Sequence, residues 1–239
     1  MIDLLDPSNV ITRMFEAEKY DDMLVYCKKL LENDPNNMLG LQNSALSLLH
    51  LSKYQEAISF CDRVLEINHF DIYALKNKIY ALESIKKYDE AIICCKKILE
   101  TNPDDVWTLN SMGLSLNELD KHEEAIEFYD KVLRLDKNDV TALMNKAISL
   151  SHLEKYHESI QCYDKAQLSD PNMNDAAIAK SRIFQKLGLE DEAFLSAQGV
   201  LIKDFEKIKN DAKNNKCSVF HQFCENEYHS LESTKTSTD

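Results

Sequence analysis

Four potential metal ligands lie close together near the C-terminal end of the sequence. Cys217, His221, Cys224 and His229 fall within 13 residues. If this stretch is helical, Cys217, His221 and Cys224 share one face, so three side chains could reach a single Zn²⁺ ion. The spacing matches no common zinc module, and one helix rarely closes a tetrahedral site. We therefore expect no bound metal, and a metal sensor or enzyme built on this cluster stays an alternative.

The other catalytic patterns are incomplete. A helix of the zinc-protease type begins at His157 and Glu158 but ends in Gln161, so its second histidine is missing. The 4 glycines of the chain form no phosphate-binding loop of either common type. We expect no catalytic residues and no cofactor.

The cysteines point to core packing and to a reducing compartment. Cys27, Cys61 and Cys95 recur every 34 residues on apolar helix faces, where a free thiol behaves as a small hydrophobic side chain. An odd total of 7 cysteines argues against a disulfide framework. The N-terminal residues do not resemble a secretory signal, and no run approaches the ~18 apolar residues of a membrane span. These features predict a cytoplasmic protein that does not insert into a membrane.

Charge and composition narrow the class further. The chain of 239 residues has 28 basic and 41 acidic side chains, a net charge of −13. That field repels nucleic acids and anionic membrane surfaces, so neither is expected as a partner. An apolar fraction of 44% can form a core, while only 4 Gly and 4 Pro disfavour turn-rich β folds.

A period of 34 residues runs through the sequence. Pro35, Pro103 and Pro171 lie 68 residues apart, which is two such periods. The same step links an aromatic, a leucine and a small-residue column: Tyr20, Tyr54, Tyr88, His122 and Tyr156; Leu48, Leu82, Leu116, Leu150 and Phe184; Ala57, Ala91, Ala125, Ser159 and Ala193. So many columns with one period indicate a tandem array of one structural unit.

Each unit is predicted to form two helices joined by a short turn. In the unit 106–139, apolar residues recur at helical spacing over 109–116 and again over 125–133. The first helix of each unit follows a residue whose side chain can accept a hydrogen bond from a free N–H group of the first turn. These capping residues are Asn37, Asp71, Asp105 and Asp139.

This unit resembles the tetratricopeptide repeat, a 34-residue helix–turn–helix with aromatic, small and proline residues at fixed places. Trp107 precedes the first-helix stripe, and Tyr129 and Tyr163 occupy the later aromatic column. The resemblance implies an all-α fold, an α-solenoid in which antiparallel helix pairs stack into a right-handed superhelix. It also implies that the first helices line a concave groove.

The resemblance assigns a repeat array to residues 1–213, with six units at about 4–37, 38–71, 72–105, 106–139, 140–173 and 174–207. Residues 214–229 are predicted to form a capping helix. Residues 230–239 form a short, mostly polar segment, which is predicted to be a disordered tail.

The face of the first helices opposite the core stripe is apolar and aromatic rather than charged. Asn43, Asn77 and Asn145, with Ser111, lie near its middle and can bond an extended peptide as donors and acceptors; asparagine in this column often contacts peptide in the family. The predicted partner-binding residues are Leu39, Asn43, Leu46, Tyr73, Lys76, Asn77, Tyr80, Trp107, Asn110, Ser111, Leu114, Met144, Asn145 and Ile148. We expect aromatic anchors at Tyr73, Tyr80 and Trp107. Alternatively, neighbouring helices use these side chains to pack on one another.

Some members of this family hold acidic C-terminal peptides in a carboxylate clamp of Lys, Asn and Arg residues. Lys76 fits the first position, but Tyr80, Ser111, Thr141 and Asn145 stand where the other clamp residues are needed. Binding of an acidic chaperone tail is therefore not expected.

Three basic residues, Lys180, Arg182 and Lys186, lie on the first helix of the sixth unit. A run of this kind is predicted to be a solvated face, with attraction of a negative partner segment as the alternative.

Together these features predict a non-enzymatic scaffold or adaptor that binds a peptide segment of another protein in its groove. Self-assembly into a homo-oligomer, by stacking of end units or pairing of aromatic faces, is the alternative.

Overall fold

The computed structural model describes residues 6–171, 174–223 and 226, and these residues are helical with no strand among them. The helices are α1 (Pro7–Glu16), α2 (Tyr20–Asn33), α3 (Met38–His50), α4 (Tyr54–Ile67), α5 (Ile72–Ser84), α6 (Tyr88–Thr101), α7 (Val106–Glu118), α8 (His122–Leu135), α9 (Val140–His152), α10 (Tyr156–Ser169), α11 (Asn174–Lys186), α12 (Glu190–Ala197) and α13 (Ile202–Asn214). Within this part of the chain, no helix has the length and apolar character needed to cross a lipid bilayer.

The chain divides into two compact units, each of which spans several of the 34-residue repeats: the first unit is residues 1–131 and the second unit is residues 132–239. In the first unit each helix from α1 to α7 packs against the next one along the chain, and in the second the same holds from α9 to α13. In the first unit α3 also contacts α5, and α5 contacts α7, so alternate helices lie side by side. This serial packing confirms the predicted all-α class of stacked helix pairs.

The predicted caps position the first helices. The side chain of Asn37 accepts a hydrogen bond from the N–H of Gly40 at 2.8 Å, and Asp71, Asp105 and Asp139 accept equivalent bonds at 2.7–2.9 Å. Each bond satisfies an N–H group that has no partner inside its own helix. The capping prediction is therefore confirmed in both units.

The turns within the helix pairs share one backbone feature. In each turn one residue takes a left-handed conformation, and the N–H after it bonds to a carbonyl of the preceding helix at 2.8–3.0 Å. This is the Schellman arrangement that closes a helix C-terminus. The left-handed residues are Glu18, Ser52, Lys86, Asp120, Glu154 and Gly188, with φ from 54° to 73°. Five of these six carry a Cβ atom, which makes the conformation unfavourable.

The aromatic column marks the start of the second helices. Its members reach the last turns of a first helix in the following pair. Tyr20 stacks on His50 at 4.2 Å between ring centroids, and the Tyr88 hydroxyl donates to Glu118 Oε2 at 2.9 Å. In the second unit the ammonium of Lys186 lies 5.1 Å from the ring centroid of Tyr156. The column therefore joins successive helix pairs within each unit.

The periodic cysteines lie in the core, as predicted. Cys27, Cys61 and Cys95 are fully buried, and the cysteines of the described residues are free thiols. Burial raises the pKa of Cys27 to about 11 and that of Cys61 to about 12. These thiols are therefore protonated at neutral pH and poor nucleophiles.

Lys180 corrects the prediction of a solvated basic cluster. Its side chain is fully buried; Nζ donates to Asp164 Oδ1 at 2.5 Å and to the carbonyl of Val200 at 3.3 Å. The other carboxylate oxygen of Asp164 accepts a bond from the N–H of Ile202 at 3.0 Å. The pair therefore fixes the entry into α13, whereas Arg182 and Lys186 are exposed.

The C-terminal end of the described chain packs through aromatic rings. Phe194 of α12 contacts Phe220 and Phe223, which belong to a helical stretch over 219–223. The predicted boundary of the sixth unit at residue 207 lies inside α13. The predicted capping helix is described only at 214–223 and 226, and the predicted tail 230–239 lies outside the described residues.

Candidate binding groove

Helices α3, α5 and α7 of the first unit line an open cavity of about 620 Å³. The side-by-side packing of α5 against both neighbours places their exposed faces around one space. The lining residues are Leu46, Leu49, His50, Ser52, Tyr54, Tyr73, Lys76, Asn77, Tyr80 and Trp107. Six of these ten belong to the set predicted from the sequence.

Three aromatic side chains dominate this cavity. Tyr73 is 77% exposed, Tyr80 49% and Trp107 40%. Tyr73 and Tyr80 share one face of α5 because they are seven residues, about two helical turns, apart. The ring of Tyr54, at the start of α4, meets the ring of Tyr80 edge to face at 6.3 Å. Large exposed rings on rigid helices are typical of binding anchors.

Lys76 contacts both Trp107 of the cavity lining and Asp105, the residue that caps α7. Its Nζ donates to Asp105 Oδ2 at 2.9 Å and lies 5.3 Å from the ring centroid of Trp107. Burial alone would raise the pKa of Asp105, but hydrogen bonds from Lys76 and Thr108 outweigh it and hold the pKa below its usual value. The carboxylate therefore stays charged, caps α7 and holds the ammonium beside Trp107.

Asn77 offers the free amide of the cavity. Its side chain makes no hydrogen bond to any residue that the structure describes. Asn43, one repeat earlier, instead donates to the carbonyl of Leu39 in its own helix at 2.8 Å and does not line the cavity. The two asparagines therefore differ in what they can offer to a bound segment.

The remaining predicted residues of the first unit lie outside this lining. Leu39 packs, together with Leu46, against a buried cluster that includes Ile11 and Met23. Ser111 is buried and Leu114 is half-buried. The side-chain oxygen of Asn110 is buried without a hydrogen-bond partner. We therefore place Leu39, Asn110, Ser111 and Leu114 beneath or beside the cavity rather than on its surface, whereas Leu46 also lines it.

The predicted residues of the second unit lie at another cavity. Met144 and Ile148 help to line a space of about 580 Å³ with Tyr163, Ile178 and Arg182. Asn145 is half-buried and is not part of this lining. The predicted set therefore divides into two groups, one in each unit.

Four lining residues are not in the predicted binding set: Leu49, Ser52 and Tyr54, and also His50, although the sequence places His50 on the same helix face as Leu39, Asn43 and Leu46. His50 and Leu49 end α3, Ser52 is the left-handed turn residue and Tyr54 begins α4. The signal for Tyr54 was present, since the aromatic column places it beside the turn that follows a groove helix. The predicted set contains residues of the first helices alone and therefore omits the start of a second helix.

Of the four C-terminal Cys and His residues, the structure describes Cys217 and His221. The thiol of Cys217 donates to Gln222 Oε1 at 3.6 Å, and His221 is exposed. Cys224 and His229 lie outside the described residues. Elsewhere in the described ranges, no three His, Cys, Asp or Glu side chains come together as a metal site.

Comparison with known proteins gives one family match and several similar folds. Residues 84–166, about a third of the chain, match the family model of anaphase-promoting complex (cyclosome) subunit 3. No curated protein matches the chain.

Among solved structures, a tetratricopeptide repeat protein from Parabacteroides merdae has a TM-score of 0.71 at 18% identity, covering 80% of this chain and 75% of its own. MamA, residues 41 to the end, from Desulfovibrio magneticus has a TM-score of 0.66 at 20% identity, covering 70% of this chain and 94% of its own. YrrB, a TPR protein with an unusual peptide-binding site, has a TM-score of 0.57 at 18% identity, covering 71% of this chain and 88% of its own. At these identities the likeness concerns the fold.

Proposed function

We propose that this chain, whose fold is that of tetratricopeptide repeat proteins, is a non-enzymatic interaction scaffold that binds an extended segment of another protein in the cavity of its first unit. Support comes from one observation: three aromatic side chains stand exposed around a 620 Å³ cavity on rigid, capped helices. A preformed backbone surface of this kind keeps the ordering cost of binding small.

The chemistry of the lining supports binding rather than catalysis. It offers ring faces, hydroxyl groups and the free amide of Asn77, while the ammonium of Lys76 is already bonded to Asp105. The buried thiols of the core have raised pKa values and are unsuited to nucleophilic attack. The fold relation to YrrB, a TPR protein with a peptide-binding site, agrees with a peptide as the ligand.

The proposal is tested by affinity capture with matched variants. Tyr73→Ala removes an anchor that is 77% exposed, and Ile93→Ala removes a comparable side chain on α6, 58% exposed and outside the cavity. We expect wild type and Ile93→Ala to recover the same partner and Tyr73→Ala to lose it. Circular dichroism should give the same helical content for all three proteins, because neither side chain supports the core.

Two results would contradict this proposal. Equal recovery of the partner by Tyr73→Ala and wild type would remove the cavity as its binding site. A light-scattering mass that rises with protein concentration, and that Tyr73→Ala abolishes, would show that the aromatic face pairs with a second copy of the chain instead.

A further inference from the structure

The chemistry of the same cavity narrows the class of segment that it accepts. We propose that the cavity of the first unit binds a proline-rich segment in the polyproline II conformation. This inference rests on the proposed function, because it names the ligand of that site. It stands on three features of the lining: its rings, its hydrogen-bonding groups and its charge.

The rings supply the packing surface. Tyr73, Tyr80 and Trp107 are exposed around one cavity, and the ring of Tyr54 meets that of Tyr80 at its edge. Polyproline II segments dock on aromatic-lined grooves because their pyrrolidine rings pack against flat ring faces. The two tyrosines of α5 stand about two helical turns, or roughly 10 Å, apart. Three residues of polyproline II span about 9 Å, so successive turns of such a segment match this spacing.

The few hydrogen-bonding side chains of the lining favour a ligand that brings few N–H groups. The lining residues lie on helices and on the turn at Ser52, so the cavity offers no strand edge to pair with a bound backbone. Recognition must therefore use side chains: the indole N–H of Trp107, the tyrosine hydroxyls and the amide of Asn77. An ordinary extended segment brings an N–H group with each residue, and only the hydroxyl and amide oxygens of these same few side chains could accept from the buried ones. Proline brings only a carbonyl, which these donors can satisfy.

The charge of the lining favours an uncharged segment. Lys76 carries the ammonium of this lining, and it is bonded to Asp105 at 2.9 Å. A charged ligand would lose its hydration, and the ammonium of Lys76 is already engaged by Asp105 and so is not free to offset an acidic group. The net charge of −13 further opposes an acidic segment. A proline-rich segment avoids both penalties and is largely ordered before it binds.

The test uses Trp107 as its own reporter, because it is the single tryptophan of the chain. The full chain is titrated with a capped polyproline peptide of about ten residues, which is long enough to form the helix. Capped peptides of equal length serve as controls: one of Gly and Ser, one of alternating Glu and Leu. We expect a saturable change in Trp107 fluorescence with polyproline alone.

Variants locate the response. Tyr73→Ala should weaken polyproline binding by about ten-fold, the effect of losing one aromatic anchor. Ile93→Ala, outside the cavity, should change it by less than about two-fold. Calorimetry of the same titrations gives the affinities independently of fluorescence.

Three results would overturn the inference: no saturable response to polyproline at millimolar concentration, equal binding of the Gly and Ser peptide, or tighter binding of the Glu and Leu peptide. The proposed function is separable from this outcome. If Tyr73→Ala loses a captured partner while polyproline does not bind, the binding site stands and the proline-rich ligand is wrong.

Discussion

Replacing Lys180 by Met should destabilise the second unit strongly, although the residue lies in a run of basic positions. Its ammonium is fully buried and bonds both to Asp164 and to the carbonyl of Val200. Methionine fills similar space but leaves the carboxylate of Asp164 buried with only the N–H of Ile202 as a partner. Removing one member of a buried ion pair costs about 3–5 kcal/mol, much of it the penalty of the uncompensated charge.

The retained bond from Ile202 places the expected loss near the lower limit, about 3 kcal/mol. For a domain of this size, each kcal/mol lowers Tm by roughly 4–8 °C, so the second unit should melt more than about 10 °C earlier. Replacing both partners, Lys180→Met with Asp164→Leu, removes the buried charge and should recover much of the loss. This order of stability distinguishes an electrostatic cause from lost packing.

The assay is urea and thermal unfolding followed by circular dichroism, with hydrogen exchange to locate the change in α10 to α13. Lys207→Met, an exposed lysine of α13, is the matched control and should change stability by less than about 0.5 kcal/mol. If Lys180→Met behaves like Lys207→Met, the buried pair does not stabilise the second unit. If the double variant is no more stable than the single one, the electrostatic account is wrong.

Three further substitutions test the packing, the titration and the turns of the first unit. Gly113→Ala places a Cβ within 2.5 Å of the buried ring of Tyr129, so urea unfolding should show a loss of about 1–3 kcal/mol, and Tyr129→Leu should relieve it. Burial raises the pKa of Glu83 to about 7, so ionisation of this carboxyl lowers the free energy of unfolding. This loss of stability is absent below the pKa of the unfolded chain and grows as the pH rises to about 7. Glu83→Gln should therefore flatten the fall in stability between pH 5 and 8, and an unchanged pH profile would contradict this. Lys86→Gly removes an unfavourable left-handed conformation at φ 60° and should raise stability by about 0.5–1 kcal/mol in urea unfolding, whereas Lys87→Gly at φ −93° should lower it.

Local chemistry explains why the helices could be predicted from the sequence. Asn37, Asp71, Asp105 and Asp139 cap their helices through side-chain bonds that depend only on nearby N–H groups. Cys27, Cys61 and Cys95 occupy equivalent core positions because each 34-residue repeat has the same packing. Caps and periodic core positions are therefore readable from residue types and spacing.

The backbone conformation of the turns is harder to predict, because only one of the six left-handed residues named above is a glycine. Gly188 carries the expected signal for a left-handed residue, but Ser52 and Lys86 adopt the same conformation with a full side chain. Packing of the flanking helices outweighs the local preference at these positions. Sequence reasoning located the turns through the period and gave no indication of their backbone conformation.

The misassigned basic cluster shows what helical geometry adds. Arg182 and Lys186 are four residues apart and share a face of α11, while Lys180 lies about 200° away from Arg182 around the helix. That angle alone separates Lys180 from the solvated pair, and its burial follows. Counting basic residues along the chain does not distinguish the buried face of α11, which carries Lys180, from the exposed face, which carries Arg182 and Lys186.

Among the predicted binding residues, the sequence identifies the aromatic side chains of the cavity but not the hydrogen bonding of the asparagines. Tyr73, Tyr80 and Trp107 were identified because their face of the groove helices is aromatic, and the structure places all three around one cavity. Asn43 and Asn77 occupy equivalent sequence positions, yet one bonds within its own helix and the other does not. Periodicity cannot distinguish the two, since side-chain hydrogen bonding depends on the rotamer.

The central claim is that a partner segment occupies the cavity beside Tyr73. Its most direct test is photo-crosslinking of the full chain with p-benzoyl-phenylalanine at Tyr73, and at Ile93 as the control position outside the cavity. We predict that mass spectrometry finds a segment of another protein joined to position 73 and not to position 93. The same cross-linked segment at both positions, or only copies of the chain itself at position 73, would contradict the account.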